Sequence, residues 1–252
     1  MNAPTKAVRA LAAAVSFLTV VPVARRVALD GADVARGSVL FPVVGAGIGA
    51  LSGGLVWALG DHVPPLLAAV IGVAAGAAVT GALHLDGLAD CADSYGGRTP
   101  EDRLRIMRDH TIGTYGGTAL LLDLLVRVSA LAALAGTSDA LLVAAAAGGI
   151  GRAGGPLLAA ALPYAQTRPG AGEALSAHPS RARAVVAVVV GAVVAVACVG
   201  VDAWAVLLVT AVVVPLAGRS ASRRLGGVTG DVMGATAELV EIGSLALLVA
   251  LR

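Results

Sequence analysis

Long apolar stretches alternate with short polar connections along almost the whole chain. A helix needs about 20 mainly apolar residues to cross the hydrocarbon core of a bilayer. Stretches of suitable length fall near residues 38–60, 63–85, 114–135, 139–162, 184–200, 203–217 and 232–251. The pattern predicts an all-α, polytopic membrane helical bundle with about seven transmembrane helices, in a single membrane domain that covers residues 1–252.

Two shorter helical segments are predicted outside these stretches. Residues 8–23 follow a basic N-terminal segment but lack a clear small-residue cleavage site, so we expect a retained interfacial or re-entrant segment. Later, Thr99 supplies an N-cap, Pro100 fits the first helical position, and the next two residues are acidic. Basic and apolar residues alternate after them, as is typical of a helix at the membrane interface.

Composition agrees with a membrane protein and excludes one class of partner. Hydrophobic residues make up 58% of the chain, charged residues 13%, and there are 33 glycines. The Gly-x-x-x-Gly repeats that begin at Gly45, Gly72 and Gly151 predict close contacts between helices in the bilayer. The net charge of +2 and the lack of a basic run interleaved with aromatic residues argue against a nucleic-acid partner.

Basic residues gather in connections that all fall on one side of the predicted bundle. By the positive-inside rule this side faces the cytoplasm, so we expect a multi-pass protein of the cytoplasmic (inner) membrane with its active site facing the cytoplasm. The basic groups are Arg25, Arg26 and Arg36; Arg98, Arg103, Arg105 and Arg108; Arg168, Arg181 and Arg183; and Arg219, Arg223 and Arg224.

Three aspartates lie within eight residues of one another at the cytoplasmic end of a predicted span. Asp86, Asp90 and Asp93 are spaced i, i+4 and i+7, so on a helix they share one face, where they repel unless a cation lies among them. Oxygen ligands without a Cys/His set favour Mg²⁺, with Mn²⁺ as the alternative. The other interpretation is that these aspartates simply belong to a solvated helix end. Gly87 argues against it, because a glycine directly after Asp86 permits close approach of a backbone or a ligand. With the interfacial helix, this motif forms a cytoplasmic unit over residues 86–113.

A second acidic motif is predicted over residues 219–241, on the same side of the bundle. It contains Asp231 and, inside the last predicted span, Glu238 and Glu241. Ionisable residues in a membrane segment are costly and usually face a polar cavity or a partner. We therefore expect the two acidic motifs to share one pocket.

Basic residues beside such a pocket suit a substrate with several phosphates. Arg108 and Arg152 are the best placed, and Arg152 lies in an otherwise apolar, glycine-rich segment. Membrane anchoring is the alternative role of Arg108. His84 either orients a carboxylate, helps proton transfer or is structural.

Five blocks of sequence resemble one known family. They are FLTVVPV, FPVVGAGIGALSG, LHLDGLADCAD, IMRDHTIGTYG and GGVTGDVMGATAELVE. Five blocks in this order, within a similar membrane pattern, resemble cobalamin synthase, the adenosylcobinamide-GDP ribazoletransferase family, from about Phe17 to Glu241.

The resemblance implies a Mg²⁺-dependent reaction in the last steps of cobalamin biosynthesis. The ribose 3′-hydroxyl of α-ribazole, or of its 5′-phosphate, attacks the cobinamide-side phosphate of adenosylcobinamide-GDP, and GMP leaves. The product is adenosylcobalamin or its 5′-phosphate. By motif match the candidate metal ligands are Asp86, Asp90, Asp93 and Asp231; the candidate catalytic residues are Asp93, Asp231 and Glu238; and the candidate substrate-binding residues are His84, Arg108, Asp109 and Arg152.

The chain departs from the family pattern at several positions outside the acidic residues. His110 and Thr111 stand where the family has Ser-Arg, Ser94 where it has Gly, and Val20 and Gln166 where it has Arg. These changes affect expected substrate contacts more than metal binding.

Two other functional classes stay open. We also expect contact with membrane lipid, and a homo-oligomer is an open alternative to a monomer. A CDP-alcohol phosphotransferase also holds metal with aspartates on helices, but its motif is one continuous stretch, whereas Asp231 lies far from Asp86. An ion-coupled transporter would place its carboxylates deep within broken spans.

Overall fold

The computed structural model describes residues 5–23, 28–109, 111–166 and 172–252. The helices are α1 (Lys6–Leu18), α2 (Gly31–Gly37), α3 (Phe41–Leu59), α4 (Pro65–Thr80), α5 (Leu83–Asp93), α6 (Pro100–Ile106), α7 (Thr114–Ala133), α8 (Asp139–Gly151), α9 (Gly154–Ala161), α10 (Glu173–Ser176), α11 (Arg181–Val199), α12 (Ala203–Leu225) and α13 (Gly230–Ala250). The described ranges contain no β-strand, which confirms the predicted all-α class.

Five helical stretches are long and apolar enough to cross a membrane. They are Gly31–Leu59, Thr114–Ala133, Asp139–Ala161, Arg181–Leu225 and Gly230–Ala250. The pair α4 and α5, bent by 89°, makes a sixth when it is counted as one broken span. The predicted polytopic bundle is confirmed. The count of seven stays a prediction, because Arg181–Leu225 is one stretch that contains both α11 and α12.

Glycines bring α3 and α8 into close contact at the centre of the bundle. Gly45, Gly49 and Gly53 lie along one face of α3, and a Cβ on any of them would collide with backbone carbonyls of α8. Gly72 of α4 lies in the same way against Ser52 of α3. In lipid, where apolar side chains gain little by leaving the acyl chains, such close packing stabilises helix pairs. The contacts predicted from the glycine repeats are present.

Both predicted short segments contain helices. The Thr99 side chain accepts a hydrogen bond from the Asp102 amide at 3.1 Å, and α6 begins at the following proline. In the N-terminal segment, α1 is not among the five membrane-spanning stretches. Arg9 of α1 forms an ion pair with the buried Asp33 of α2 and so fixes these two helices to each other.

Some residues of the predicted connections lie outside the described ranges. They are Arg25, Arg26, His110 and Arg168.

A tight bend separates α4 from α5. Gly81 and Ala82 both have left-handed backbone, with φ of 61° and 56°. This conformation is strained for alanine, because its Cβ crowds the following carbonyl. Beside the bend, the Val20 amide donates a hydrogen bond to the Val79 carbonyl at 2.9 Å. The bend turns α5 away from the direction of α4, so that α5 lies outside the five spans and packs on α13.

Candidate active site between helices α5 and α13

A pocket lies where the first turns of α5 and α13 meet. Its wall includes His84 and Asp86 of α5, Arg152 at the break between α8 and α9, and Asp231 of α13. We name it the acidic pocket. It brings together four residues that the sequence predicted for the site, including one aspartate from each acidic motif.

Small residues set the distance between α5 and α13. A Cβ added to Gly87 would lie only 2.9 Å from the Asp231 carbonyl oxygen and 3.0 Å from its Cα. On α13, a Cβ at Gly234 would lie 3.3 Å from the Cα of His84. The close approach predicted at Gly87 is therefore to the backbone of Asp231, and it places that aspartate beside α5.

Asp90 lies one turn beyond Asp86 on α5 and is half-buried. Burial, followed by the negative charges of Asp86, Asp231 and Asp93, raises the pKa of the Asp90 carboxyl to about 7. The carboxylates of the two acidic motifs therefore act on one another electrostatically. A cluster of carboxylates that repel one another in this way favours a cation among them.

Asp93 is directed at the first turn of α7. Its Oδ2 accepts a hydrogen bond from the Gly113 amide at 2.7 Å, and its Oδ1 accepts one from the Gly116 amide at 2.8 Å. The first amides of a helix have no partner within the helix, and a carboxylate there satisfies them. Asp93 thus joins α5 to α7 and is not part of the wall of the acidic pocket.

A short connection after α9 supports Asp231. The Ala165 amide donates to the Val228 carbonyl at 2.9 Å, and the Val228 amide donates to the Pro163 carbonyl at 2.8 Å. This pairing places Gln166 beside Asp231, where its amide group donates to the Asp231 carboxylate at 3.4 Å. The Thr229 hydroxyl donates to the same oxygen at 3.3 Å.

Arg108 and Asp109 lie exposed after α6. Asp109 accepts a local hydrogen bond from the Thr111 amide at 3.2 Å. Burial, and then the charges of Asp231 and Glu173, raise the pKa of the Tyr164 phenol, and Arg108 opposes this rise. Arg108 is therefore near the connection that covers Asp231, although it does not line the pocket.

Glu238 belongs to a second charged group, which we name the buried ion network. Arg127 of α7 forms ion pairs with Glu238 and Glu241 of α13, and with Asp123 at 3.4 Å. Arg152 pairs with Glu241 and donates to the Gly148 carbonyl at 3.3 Å. The network members are Asp123, Arg127, Arg152, Glu238 and Glu241, all largely or fully buried. Charges persist in such an interior because they neutralise one another.

Sequence analysis missed Arg127 and Asp123, which lie within a stretch that was treated only as an apolar span. The available signal was a pair of opposite charges at i and i+4 inside a predicted membrane helix. Tyr164 was also missed, and Gln166 was noted only as a departure from a family pattern. Their placement depends on the backbone pairing with Val228, which no sequence motif predicts.

The carboxylates in and near the acidic pocket can be compared with the ligands that the expected Mg²⁺ requires. In the parts of the chain that the structure describes, no group of three or more His, Cys, Asp or Glu side chains is arranged to hold a metal ion. Asp86 and Asp231 line the pocket, and Asp90 is close to both. Mg²⁺ is commonly bound by one or two carboxylates together with water and substrate phosphates. The residues present therefore fit Mg²⁺ that binds with a diphosphate, and not a complete protein cage.

A polytopic helical bundle with carboxylates, an arginine and a histidine around one pocket has the architecture of a membrane enzyme. A family model described as cobalamin-5-phosphate synthase matches residues 10–249. The chain belongs to this family, as the five sequence blocks indicated, and is thus an enzyme of cobalamin synthesis.

Individual relatives agree with this assignment over nearly the whole chain. An adenosylcobinamide-GDP ribazoletransferase of Bradyrhizobium diazoefficiens is 42% identical over 237 residues, which cover 91% of this chain and 88% of the relative. Relatives of the same name are 40% identical in Azorhizobium caulinodans, over 92% of each chain, and 35% identical in Klebsiella pneumoniae, over 97% and 99%. No solved structure matches the chain.

Proposed function

We propose that this enzyme transfers the adenosylcobinamide phosphate group from adenosylcobinamide-GDP to α-ribazole or to α-ribazole 5′-phosphate. The ribose 3′-oxygen of the acceptor forms a bond to phosphorus, the bond from that phosphorus to the bridging oxygen of the diphosphate breaks, and GMP leaves. The product is adenosylcobalamin or its 5′-phosphate. The observation that carries the proposal is the acidic pocket, in which Asp86 and Asp231 meet beside Arg152 and His84.

Asp231 is the best candidate for the group that accepts the hydroxyl proton. Of the three predicted catalytic carboxylates, Asp93 accepts two amide hydrogen bonds and Glu238 pairs with Arg127, whereas Asp231 lines the pocket. A general base has to reach the proton that it removes. The hydrogen bonds from Gln166 and Thr229 would hold its Oδ2 in place.

Positive charge for the phosphate oxygens would come from Arg152 in the wall and from exposed Arg108 near the pocket. Asp86, Asp90 and Asp231 would hold Mg²⁺, or Mn²⁺ in its place, together with the diphosphate. When bound, the cation would offset negative charge on the reacting phosphates. His84 would contact substrate from the pocket wall. Asp109, which accepts the Thr111 amide, would keep the turn after α6 in position near Arg108.

The basic connections support a cytoplasmic orientation of this pocket in the inner membrane. Arg103, Arg105 and Arg108 follow the acidic helix α5 in sequence, and Arg219, Arg223 and Arg224 precede Asp231. Both groups therefore lie next to the elements that form the acidic pocket. Membrane lipid would surround the five apolar stretches, and the chain would act without nucleic acid.

The test is an assay of the purified protein in lipid with adenosylcobinamide-GDP, α-ribazole and Mg²⁺, scored for GMP and for a cobalamin product. We expect both products in equal amounts and neither after chelation. Parallel reactions with α-ribazole 5′-phosphate would define the preferred acceptor. Product from a lipid alcohol, but not from either ribazole acceptor, would instead favour a CDP-alcohol-type phosphotransferase.

A further inference from the structure

The acidic pocket has an apolar part that phosphate chemistry does not require. The apolar wall contains Phe17, Leu18, Phe41, Leu83, Leu175 and Met233. The rings of Phe17 and Phe41 are stacked, with centroids 5.2 Å apart and an angle of 12° between their planes. Apolar and aromatic walls with a few polar groups are typical of sites that bind a flat organic ring.

Two buried nitrogens in the same wall lack a partner. Nδ1 of His84 and Nε of Arg152 make no hydrogen bond within the described part of the chain. Buried polar atoms usually have a partner, in the protein or in a bound molecule. The wall therefore combines a large apolar area with unused hydrogen-bonding capacity.

We propose that this apolar part binds the benzimidazole base of the ribazole acceptor, with the ribose directed towards Asp86 and Asp231. The inference rests on the proposed function and adds which substrate group occupies the pocket. A dimethylated benzimidazole is flat and apolar along most of its edge, and its one free ring nitrogen can accept a hydrogen bond. These properties match the wall.

The guanine of the donor fits this wall less well. Guanine carries several hydrogen-bonding groups along its edge, and burying them against phenylalanine and leucine would leave most of them without partners. The apolar wall would thus favour the benzimidazole, because guanine would lose hydrogen bonds to water that this wall does not replace. The guanosine would remain near the exposed arginines.

One glycine allows the pocket to be narrowed without disturbing the backbone. A Cβ at Gly155 would lie 3.6 Å from Cβ and 3.9 Å from Sδ of Met233, which is ordinary van der Waals contact. Gly155→Ala therefore adds one methyl group to the wall. Gly54→Ala is the matched control, because Gly54 of α3 does not line this pocket and its added Cβ would lie 3.5 Å from Cδ1 of Leu141, again in ordinary contact.

The experiment measures steady-state kinetics in lipid for wild type and both variants, varying each substrate in turn. Because one methylene group in a fitted apolar pocket changes discrimination by about 10-fold or more, we expect Gly155→Ala to raise the KM for α-ribazole about 10-fold, with the KM for the donor unchanged. Gly54→Ala should match wild type. Equilibrium dialysis of labelled α-ribazole without the donor should show the same loss of affinity.

A second measurement on wild type does not depend on any variant. A riboside whose benzimidazole lacks both methyl groups should bind roughly 15-fold more weakly in the dialysis, because each buried methyl group contributes about fourfold. Equal affinity for the two ribosides, or a Gly155→Ala variant that changes only the donor KM, would overturn the proposal. Failure of the proposed function can be told apart from failure of this inference. In the first case the wild-type enzyme would form no cobalamin product, whereas dialysis would still measure whether the base binds.

Discussion

The acidic pocket and the buried ion network both contain carboxylates from α13, yet their surroundings differ. In the network, Glu238 and Glu241 form ion pairs with Arg127, and Glu241 pairs with Arg152 as well. In the pocket, Asp86 and Asp231 form no ion pair with any residue in the described ranges. Paired charges inside a membrane protein hold helices together, whereas carboxylates without a cationic partner are free to act on a cation or on a proton.

Arg152 belongs to both regions. Its Nη1 pairs with Glu241, while the side chain also lines the acidic pocket. The network therefore fixes an arginine at the edge of the acidic pocket and holds α13 against α7 and the α8–α9 break. The comparison predicts loss of stability when the network is broken, and loss of turnover when the pocket is changed.

The largest effect on stability is expected at Arg127. Arg127→Ala leaves Glu238, Glu241 and Asp123 buried with less positive charge beside them, and removing one partner of a buried pair costs about 3–5 kcal/mol. Unfolding in lipid, followed by heat or denaturant, would measure the loss. Arg105→Ala is the control, because that side chain is 73% exposed and its pair with Asp102 is weak. Equal stability of the two variants would refute a structural role for the network.

The largest effect on turnover is expected at Asp86. Asp86→Asn removes one charge from the acidic pocket, and we expect kcat/KM to fall by about 100- to 1000-fold while the melting temperature changes little. Rate measurements over a Mg²⁺ titration would separate weaker metal binding from slower chemistry. Asp139→Asn, at the start of α8, should keep wild-type rates. Normal turnover of Asp86→Asn at limiting Mg²⁺ would remove Asp86 from the proposed metal site.

A smaller effect is expected at Gln166, which contacts Asp231 from the connection after α9. Loss of one hydrogen bond to a carboxylate is worth about 1–2 kcal/mol, so Gln166→Ala should lower kcat about 5- to 30-fold with little change in either KM. Gln166→Glu should be more harmful, because it places a second negative charge beside Asp231. If both variants changed KM alone, Gln166 would contact substrate instead of positioning Asp231.

The smallest effect is a pH dependence from Asp90. In the folded protein its pKa is raised from the ordinary 3.8 to about 7. Between about pH 4 and pH 7 the folded state therefore binds more protons than the unfolded state, and stability falls as the pH rises through this window. Because solvent screens the half-exposed Asp90 carboxyl, only a small part of this shift counts towards stability. Without divalent cations we therefore expect the melting temperature to drop by about 1–2 °C over this window. Saturating Mg²⁺ or Asp90→Asn should flatten the slope, and an unchanged slope in both cases would assign it to other groups.

Local rules were enough to predict much of the fold. Hydropathy indicated the helices, Thr99 and Pro100 the start of α6, and the glycine spacing the packing of α3 on α8. Each of these features depends on neighbours in sequence or on a repeat along one helix. The bend at Gly81 and Ala82 escaped prediction, because alanine takes a left-handed backbone only where tertiary contacts impose it.

For the site, the spacing of Asp86, Asp90 and Asp93 indicated one helical face, but the structure gives the three aspartates different surroundings. Asp86 lines the pocket, Asp90 is half-buried next to it, and Asp93 binds the amides of α7. Which arginine neutralises Glu238 depends on how α7 packs on α13, a long-range contact that sequence periodicity does not contain.

The bend after α4 has a consequence for how the enzyme tolerates different membranes. A helix whose apolar length differs from the bilayer thickness adjusts by tilting. Here Asp86 is carried by α5, which is fitted to α13 at Gly87, beside Asp231, and is joined to α4 through the turn at Gly81 and Ala82. Tilting of α4 can be absorbed at that turn, so hydrophobic mismatch along this helix need not alter the spacing of Asp86 and Asp231.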